Sequence, residues 1–171
     1  MTAATDLLED GFARVEQVLT ATLDGLGPAE LEARIDPEAN SIAWLAWHLT
    51  RVQDDHVAEV AGTEQVWTAG GWAERFGLPF PPSDTGFGHS SAQVAQVRGV
   101  SAADLVAYHR ATCAATGRYL ATLADADLDR VVDEGWDPPV TLGVRLVSVL
   151  GDDHQHAGQV AYLAGVLART A

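Results

Sequence analysis

Apolar residues recur at spacings of three and four in four segments of the chain, which is the pattern of helices that bury one face. This periodicity predicts four long helices, over about residues 5–26, 41–60, 101–124 and 141–167. Asn40 or Ser41 is suited to cap the second helix, and Ser101 and Thr141 the third and fourth. No segment has a convincing strand pattern, so the sequence predicts an all-α four-helix bundle with residues 1–171 as a single domain.

The connection between the second and third predicted helices, residues 61–100, is unusually long. It is rich in Gly and Pro and contains five aromatic residues, which are Trp67, Trp72, Phe76, Phe80 and Phe87. A connection of this length in a compact domain is usually functional or carries small elements of its own. We expect one short helix near residues 71–76, an otherwise irregular crossover loop, and aromatic side chains that close over a site. Residues 28–40 are expected to hold a short helical turn, and residues 125–140 to form a loop.

Charge restricts the partners of the protein. The chain has 24 acidic residues against 10 basic ones, none of them Lys, and a formal net charge of −14. Nucleic acids and anionic membranes attract clustered basic residues, so we expect no binding to either. No apolar run reaches the roughly 18–20 residues of a membrane span, and the start of the chain does not resemble a secretory signal. A cytoplasmic location is therefore expected.

The fourth predicted helix carries a candidate metal site. Asp152 and His156 are four residues apart, so they lie on one helix face and can bind the same ion. The apolar stripe of the helix predicts that this face points toward the core. His154 lies about 200° around the helix from that pair and is expected to point outward. A pairing of Asp153 with His156, three residues apart, remains an alternative.

The second predicted helix offers a third ligand, His48, in an otherwise apolar stretch. Alone, His48 would more simply be a core histidine bonded to a carbonyl or carboxylate group. Beside Asp152 and His156 it completes a three-ligand site with an open position. His56 could reach the mouth of a cleft, whereas the other two histidines, His89 and His109, are expected to be surface or structural residues. The single cysteine, Cys113, is expected to be a core thiol, because free Cys is usually buried.

Two segments resemble the DinB-like superfamily, and the resemblance extends over essentially the whole chain. They are residues 41–51, SIAWLAWHLTR, and residues 152–162, DDHQHAGQVAY. That superfamily includes mycothiol-dependent maleylpyruvate isomerase and thiol S-transferases for mycothiol and bacillithiol. Its usual ligands fall on His48, Asp152 and His156. Asp152 departs from the histidine of many members and is similar to the glutamate of the isomerase branch. Two imidazoles and a carboxylate suit zinc, and also nickel, Fe(II) or manganese.

The resemblance implies a metal-dependent transferase or isomerase. A low-molecular-weight thiol such as mycothiol would be held as a metal-bound thiolate and would attack a small electrophile. Arg51, Arg145 and Gln159 are candidates for binding these substrates. A metal-dependent hydrolase is one alternative, with Asp55, Asp153 or His154 as the candidate base. A non-catalytic metal-binding bundle, which could form a homodimer, is the other.

Overall fold

The computed structural model describes residues 2–170, and within them the protein is predominantly helical. The α-helices are Ala3–Leu23 (α1), Pro28–Glu32 (α2), Ile42–Ala61 (α3), Val66–Ala69 (α4), Trp72–Phe76 (α5), Ser91–Val94 (α6), Ala102–Leu120 (α7) and Leu142–Thr170 (α8). A 3₁₀-helix, Asp125–Asp129, precedes two short strands, Val131–Asp133 (β1) and Val140–Thr141 (β2), which pair in antiparallel fashion. None of the described helices is both long and apolar enough to cross a membrane.

The four long helices α1, α3, α7 and α8 form the bundle that the periodicity predicts. Helices α1 and α3 each pack against both α7 and α8, so α1 and α3 occupy opposite corners. The Ser41 hydroxyl accepts a hydrogen bond from the Trp44 amide at 3.2 Å, and the Ser101 hydroxyl accepts one from the Asp104 amide at 3.0 Å. The Thr141 hydroxyl likewise accepts one from the Val144 amide at 3.3 Å. The three predicted caps are thereby confirmed, and these contacts satisfy amides that the first turn of a helix leaves free.

Two connections contain more structure than the sequence predicts. Residues 61–100 hold three short helices, α4, α5 and α6, where one was expected. Residues 125–140, expected to be a loop, contain the 3₁₀-helix and most of the hairpin. The strands are three and two residues long, too short to produce a visible alternation of apolar and polar residues.

The buried core consists of two apolar clusters separated by a polar layer. One cluster gathers the C-terminal half of α1, the N-terminal half of α3 and the aromatic residues of the long connection other than Phe87. The second contains residues from the other end of the bundle, including Phe12, Leu120 and Leu146. Between them lie the buried polar side chains of Thr50, Gln53, His109, Thr112, Thr116 and Asp153.

The buried stripe of α8 differs by one position from the one that the sequence predicts. Asp153 is fully buried, whereas Asp152 and His156 are only partly buried at the edge of the stripe. Neighbouring residues on a helix lie about 100° apart, so a small error in the phase of the stripe exchanges two adjacent positions. The expectation that Asp152 and His156 face the core is therefore wrong. Their partly exposed position leaves them accessible to a ligand from solution.

Candidate metal centre

The bundle brings together the three side chains that the sequence singles out. His48 comes from α3 and Asp152 and His156 come from α8, and one ligand atom of each lies within 4.8 Å of the others. The His156 Nε2 atom is 3.6 Å from the Asp152 Oδ1 atom, which is a wide spacing for a direct hydrogen bond. Two ring nitrogens and a carboxylate oxygen therefore converge without being fully bonded to one another.

A backbone contact orients His48. Its Nδ1 atom lies 2.5 Å from the carbonyl oxygen of Thr85, so Nδ1 carries the hydrogen and donates it. The Nε2 lone pair is then left for a metal, as is usual for ligating histidines. Burial lowers the pKa of His48, which favours the neutral form that metals require. The ring of Trp44 stacks on the imidazole with a centroid distance of 4.5 Å.

The candidate ligands on α8 are arranged in a similar way. His156 Nδ1 lies 2.8 Å from the side-chain oxygen of Gln159, which fixes the ring and leaves Nε2 free. The Asp152 Oδ2 atom is buried and has no hydrogen-bond partner among the described residues. An unsatisfied carboxylate oxygen beside two imidazoles is costly, and a divalent cation would relieve that cost. Gln159, a candidate for substrate binding from the sequence, thus contacts a candidate metal ligand.

A strap, which we define as residues 82–89, covers the His48 side of the site. Arg51 fixes it: the guanidinium donates to the carbonyl oxygens of Pro82 at 3.1 Å and Asp84 at 3.2 Å. Arg51 is fully buried and lies 3.6 Å from the Asp54 carboxylate. Arg51, a candidate for substrate binding from the sequence, is therefore enclosed by the strap and the core and does not line the cavity described below.

Further contacts hold the strap in shape. The Asp84 carboxylate lies 3.1 Å from His89 Nε2 and accepts a hydrogen bond from the Gly86 amide at 2.7 Å. His89 Nδ1 in turn accepts a hydrogen bond from the indole of Trp44 at 3.1 Å. His89 is therefore structural, one of the two roles expected for it. It links the strap to the same tryptophan that stacks on His48.

Gly86 permits the closest approach of the strap to α3. Its φ angle is +89°, and a Cβ atom there would lie 2.9 Å from the Trp47 ring and 3.0 Å from His48 Nδ1. Any larger residue would be strained and would press on His48. Sequence reasoning missed this role, although the Gly86-Phe87-Gly88 run within the long connection is a signal of special backbone geometry.

A cavity of about 510 Å³ opens beside His48 and Asp152. Its lining is partly apolar and partly charged. The lining residues are His48, Val52, Asp55, His56, Thr85, Phe87, Arg145, Ser148, Val149 and Asp152. The cavity therefore provides space for a small molecule next to two of the three candidate ligands.

The three residues that the sequence offers as candidate bases lie in different environments. Asp55 lines the cavity, where one carboxylate oxygen accepts a hydrogen bond from Gln65 at 2.6 Å. Asp153 is buried in the polar layer, and burial raises its pKa well above the usual value. His154 is exposed on the outer face of α8, with Nδ1 3.0 Å from the Leu150 carbonyl oxygen. Neither Asp153 nor His154 lines the cavity, so Asp55 is the one candidate positioned to act there.

Arg145 lines the cavity but is already engaged. Its guanidinium contacts the Glu59 carboxylate at 2.7 Å, the Asp133 carboxylate at 3.2 Å and His56 Nδ1 at 3.1 Å. Two carboxylates thus neutralise the positive charge of the Arg145 guanidinium. His56 does reach the cavity wall, as the sequence suggested for a cleft mouth.

Of the remaining candidate groups, His109 lies inside the bundle and Cys113 is partly buried beside it. His109 is buried, and burial lowers its pKa to about 4. Its Nε2 atom lies 3.4 Å from the sulfur of Cys113, whose pKa burial raises to about 12. A thiol with so high a pKa is not a nucleophile near neutral pH, which agrees with a structural role for Cys113.

Comparison with known proteins gives the family. The model of the mycothiol S-transferase family matches residues 7–168. A crystal structure described as that of a conserved protein from Enterococcus faecalis superposes with a TM-score of 0.89. The two chains are 30% identical in sequence, and the alignment covers 96% of each. No curated protein matches the chain. The family match spans nearly the whole sequence, and the chain therefore belongs to the mycothiol S-transferase family of the DinB-like superfamily.

Proposed function

We propose that the protein is a metal-dependent thiol S-transferase that joins mycothiol, or a similar low-molecular-weight thiol, to a small electrophile. One observation carries the proposal: His48, Asp152 and His156 converge at the wall of a cavity large enough for a small molecule. Three protein ligands beside an open space are typical of catalytic metal sites, whereas structural sites are closed by four. The family to which the chain belongs is named for this reaction.

The three ligands would hold one divalent metal. Two imidazoles and one carboxylate suit zinc best, and nickel, Fe(II) or manganese would also fit. When bound, the cation would supply the positive charge that favours the deprotonated form of a thiol near neutral pH. The orphaned oxygen of Asp152 supports this assignment, since it is buried without any other partner in the described part of the chain.

The chain's own residues prepare the site. Thr85 and Gln159 engage the Nδ1 atoms of the two imidazoles, which leaves both Nε2 atoms for a metal. Asp55 is the carboxylate of the cavity wall that is not a ligand, and we assign it the role of accepting the thiol proton. The single cysteine, Cys113, takes no part, because burial raises the pKa of its thiol to about 12 and the residue does not line the cavity.

A transfer assay tests the proposal. Mycothiol and 1-chloro-2,4-dinitrobenzene would be incubated with protein that has been stripped of metal, then reloaded with zinc, nickel, Fe(II) or manganese. We expect conjugate formation above the uncatalysed rate only after reloading. His156→Ala should abolish it, whereas His154→Ala, two residues away on the outer face, should leave it nearly unchanged. Equal rates for stripped and reloaded protein, or equal losses in the two variants, would contradict the proposal.

A further inference from the structure

We propose that the cavity beside His48 and Asp152 receives the electrophile, and that this acceptor is an uncharged molecule with an apolar body rather than an anion. The inference rests on the proposed function, because it names the acceptor class for the same site. It depends on three features of the cavity wall: its apolar side chains, the exposed ring of Phe87 and the pairing of its one arginine.

Phe87 is the most exposed large apolar side chain among the described residues, with 91% of its surface accessible. It stands at the mouth of the cavity between Gly86 and Gly88, whose φ angles are +89° and +74°. The two glycines turn the strap so that the ring projects into solvent. An exposed aromatic at the mouth of a cavity fits a contact surface for an apolar ligand. Val52 and Val149 continue this apolar surface inside the cavity.

The charges of the wall disfavour an anion. Arg145 is the only arginine among the described residues that line the cavity, and the chain has no lysine. It already contacts the carboxylates of Glu59 and Asp133. Asp55 adds a further negative charge to the wall. Apart from the metal proposed at the ligand end of the cavity, a carboxylate on the acceptor would therefore find no unpaired cationic side chain in the wall, and the Asp55 carboxylate would repel it.

The transfer step suits such an acceptor. For a chloroarene, the thiol sulfur forms a bond to the ring carbon and the carbon–chlorine bond breaks. Chloride leaves with the bonding electron pair, and the thiol proton passes through Asp55 to the solvent. The acceptor itself carries no charge into the acidic cavity, and the ring can lie against Phe87.

A matched pair of acceptors tests the inference. 4-Chloro-3,5-dinitrobenzamide is neutral, and 4-chloro-3,5-dinitrobenzoate has the same two nitro groups beside the reacting carbon but carries a carboxylate. Each kcat/KM with mycothiol would be divided by the rate constant of the uncatalysed reaction with the same acceptor. We expect the corrected value to be at least about tenfold higher for the neutral acceptor. An equal or higher corrected value for the benzoate would overturn the inference while leaving S-transfer intact.

Two charge variants sharpen the test. Glu59→Gln combined with Asp133→Asn frees Arg145 and should raise the corrected kcat/KM for the benzoate about tenfold. The matched control, Asp10→Asn combined with Glu16→Gln, also removes two acids, from the pairs with Arg14 and Arg110 that do not line the cavity. The control should change the benzoate value little. Equal gains in both variants would overturn the inference, since net charge alone would then explain them.

A binding measurement separates this inference from the proposed function. The unreactive pair 1,3-dinitrobenzene and 3,5-dinitrobenzoate would be titrated into wild-type protein and Phe87→Ala, with amide NMR shifts as the readout. We expect tighter binding of the neutral compound, shifts at the strap, and weaker binding by Phe87→Ala. That result without any S-transfer would support the acceptor class and reject the proposed function. Tighter binding of the benzoate, or shifts remote from the strap, would overturn the inference.

Discussion

The Nδ1 atom of His48 lies 2.5 Å from the carbonyl oxygen of Thr85, so a helix residue proposed as a metal ligand is oriented by a residue of the strap. The strap is in turn fixed to α3 by the buried guanidinium of Arg51, which binds the carbonyl oxygens of Pro82 and Asp84. The long connection therefore does more than cover the site. It sets the ring orientation of one of the three proposed ligands.

The first prediction concerns Gly86→Ala, which should weaken zinc binding by about 10- to 100-fold, because the new methyl group would press on Trp47 and His48 Nδ1. Gly88→Ala is the matched control: it shares a positive φ of +74°, but a Cβ atom there meets nothing within 4 Å. Backbone strain should cost both variants about 1–3 kcal/mol of unfolding free energy. Zinc affinity would be measured by competition with a chromophoric chelator. Equal zinc affinities for the two variants would contradict the role of the strap.

Arg51→Lys should destabilise the protein by about 2–3 kcal/mol, because an ammonium group cannot reach both strap carbonyls as the guanidinium fork does. Urea unfolding would measure the loss, and zinc affinity should fall with it as His48 loses its fixed orientation. The conservative change keeps a positive charge next to Asp54, so loss of charge would not explain the result. A raised KM for substrate with unchanged stability and zinc affinity would instead favour the substrate-binding role expected from the sequence.

His109 should make the protein less stable as the pH falls. Its folded pKa of about 4 lies below the value of about 6.5 expected in the unfolded chain, so below pH 6.5 the unfolded state binds the additional proton. Unfolding free energy should therefore drop by about 2 kcal/mol between roughly pH 7 and pH 5 on this account. His109→Gln removes the titrating group, and its stability relative to wild type should improve over the same range. A constant difference between the two proteins, or the same trend in His154→Gln, would contradict this.

Cys113 should resist alkylation in the native protein, because burial beside His109 keeps the thiol protonated at neutral pH. Iodoacetamide labelling followed by mass spectrometry would show little modification until urea unfolds the chain. Cys113→Ala should then transfer mycothiol at close to the wild-type rate. Rapid labelling of the folded protein, or loss of transfer in the variant, would assign the thiol a chemical role.

Much of this architecture could be predicted from the sequence because it leaves a periodic signal. The spacing of apolar residues gave the four long helices, and helical phase placed Asp152 with His156 while turning His154 outward. The phase was not accurate enough to distinguish Asp152 from Asp153 as the buried carboxylate. The strap could not be predicted either. It depends on contacts between α3 side chains and backbone atoms 31–37 residues away, and such contacts have no repeat in the sequence.

The most direct test of the account is a titration of cobalt-substituted protein with mycothiol, in which the absorption spectrum is recorded after each addition. Cobalt(II) should bind close to one ion per chain through His48, Asp152 and His156, and His156→Ala should not bind it. Mycothiol should then produce a sulfur-to-cobalt charge-transfer band that saturates at one thiol per metal. A metal-free protein with an intact fold, or a cobalt spectrum that mycothiol does not change, would contradict the central claim.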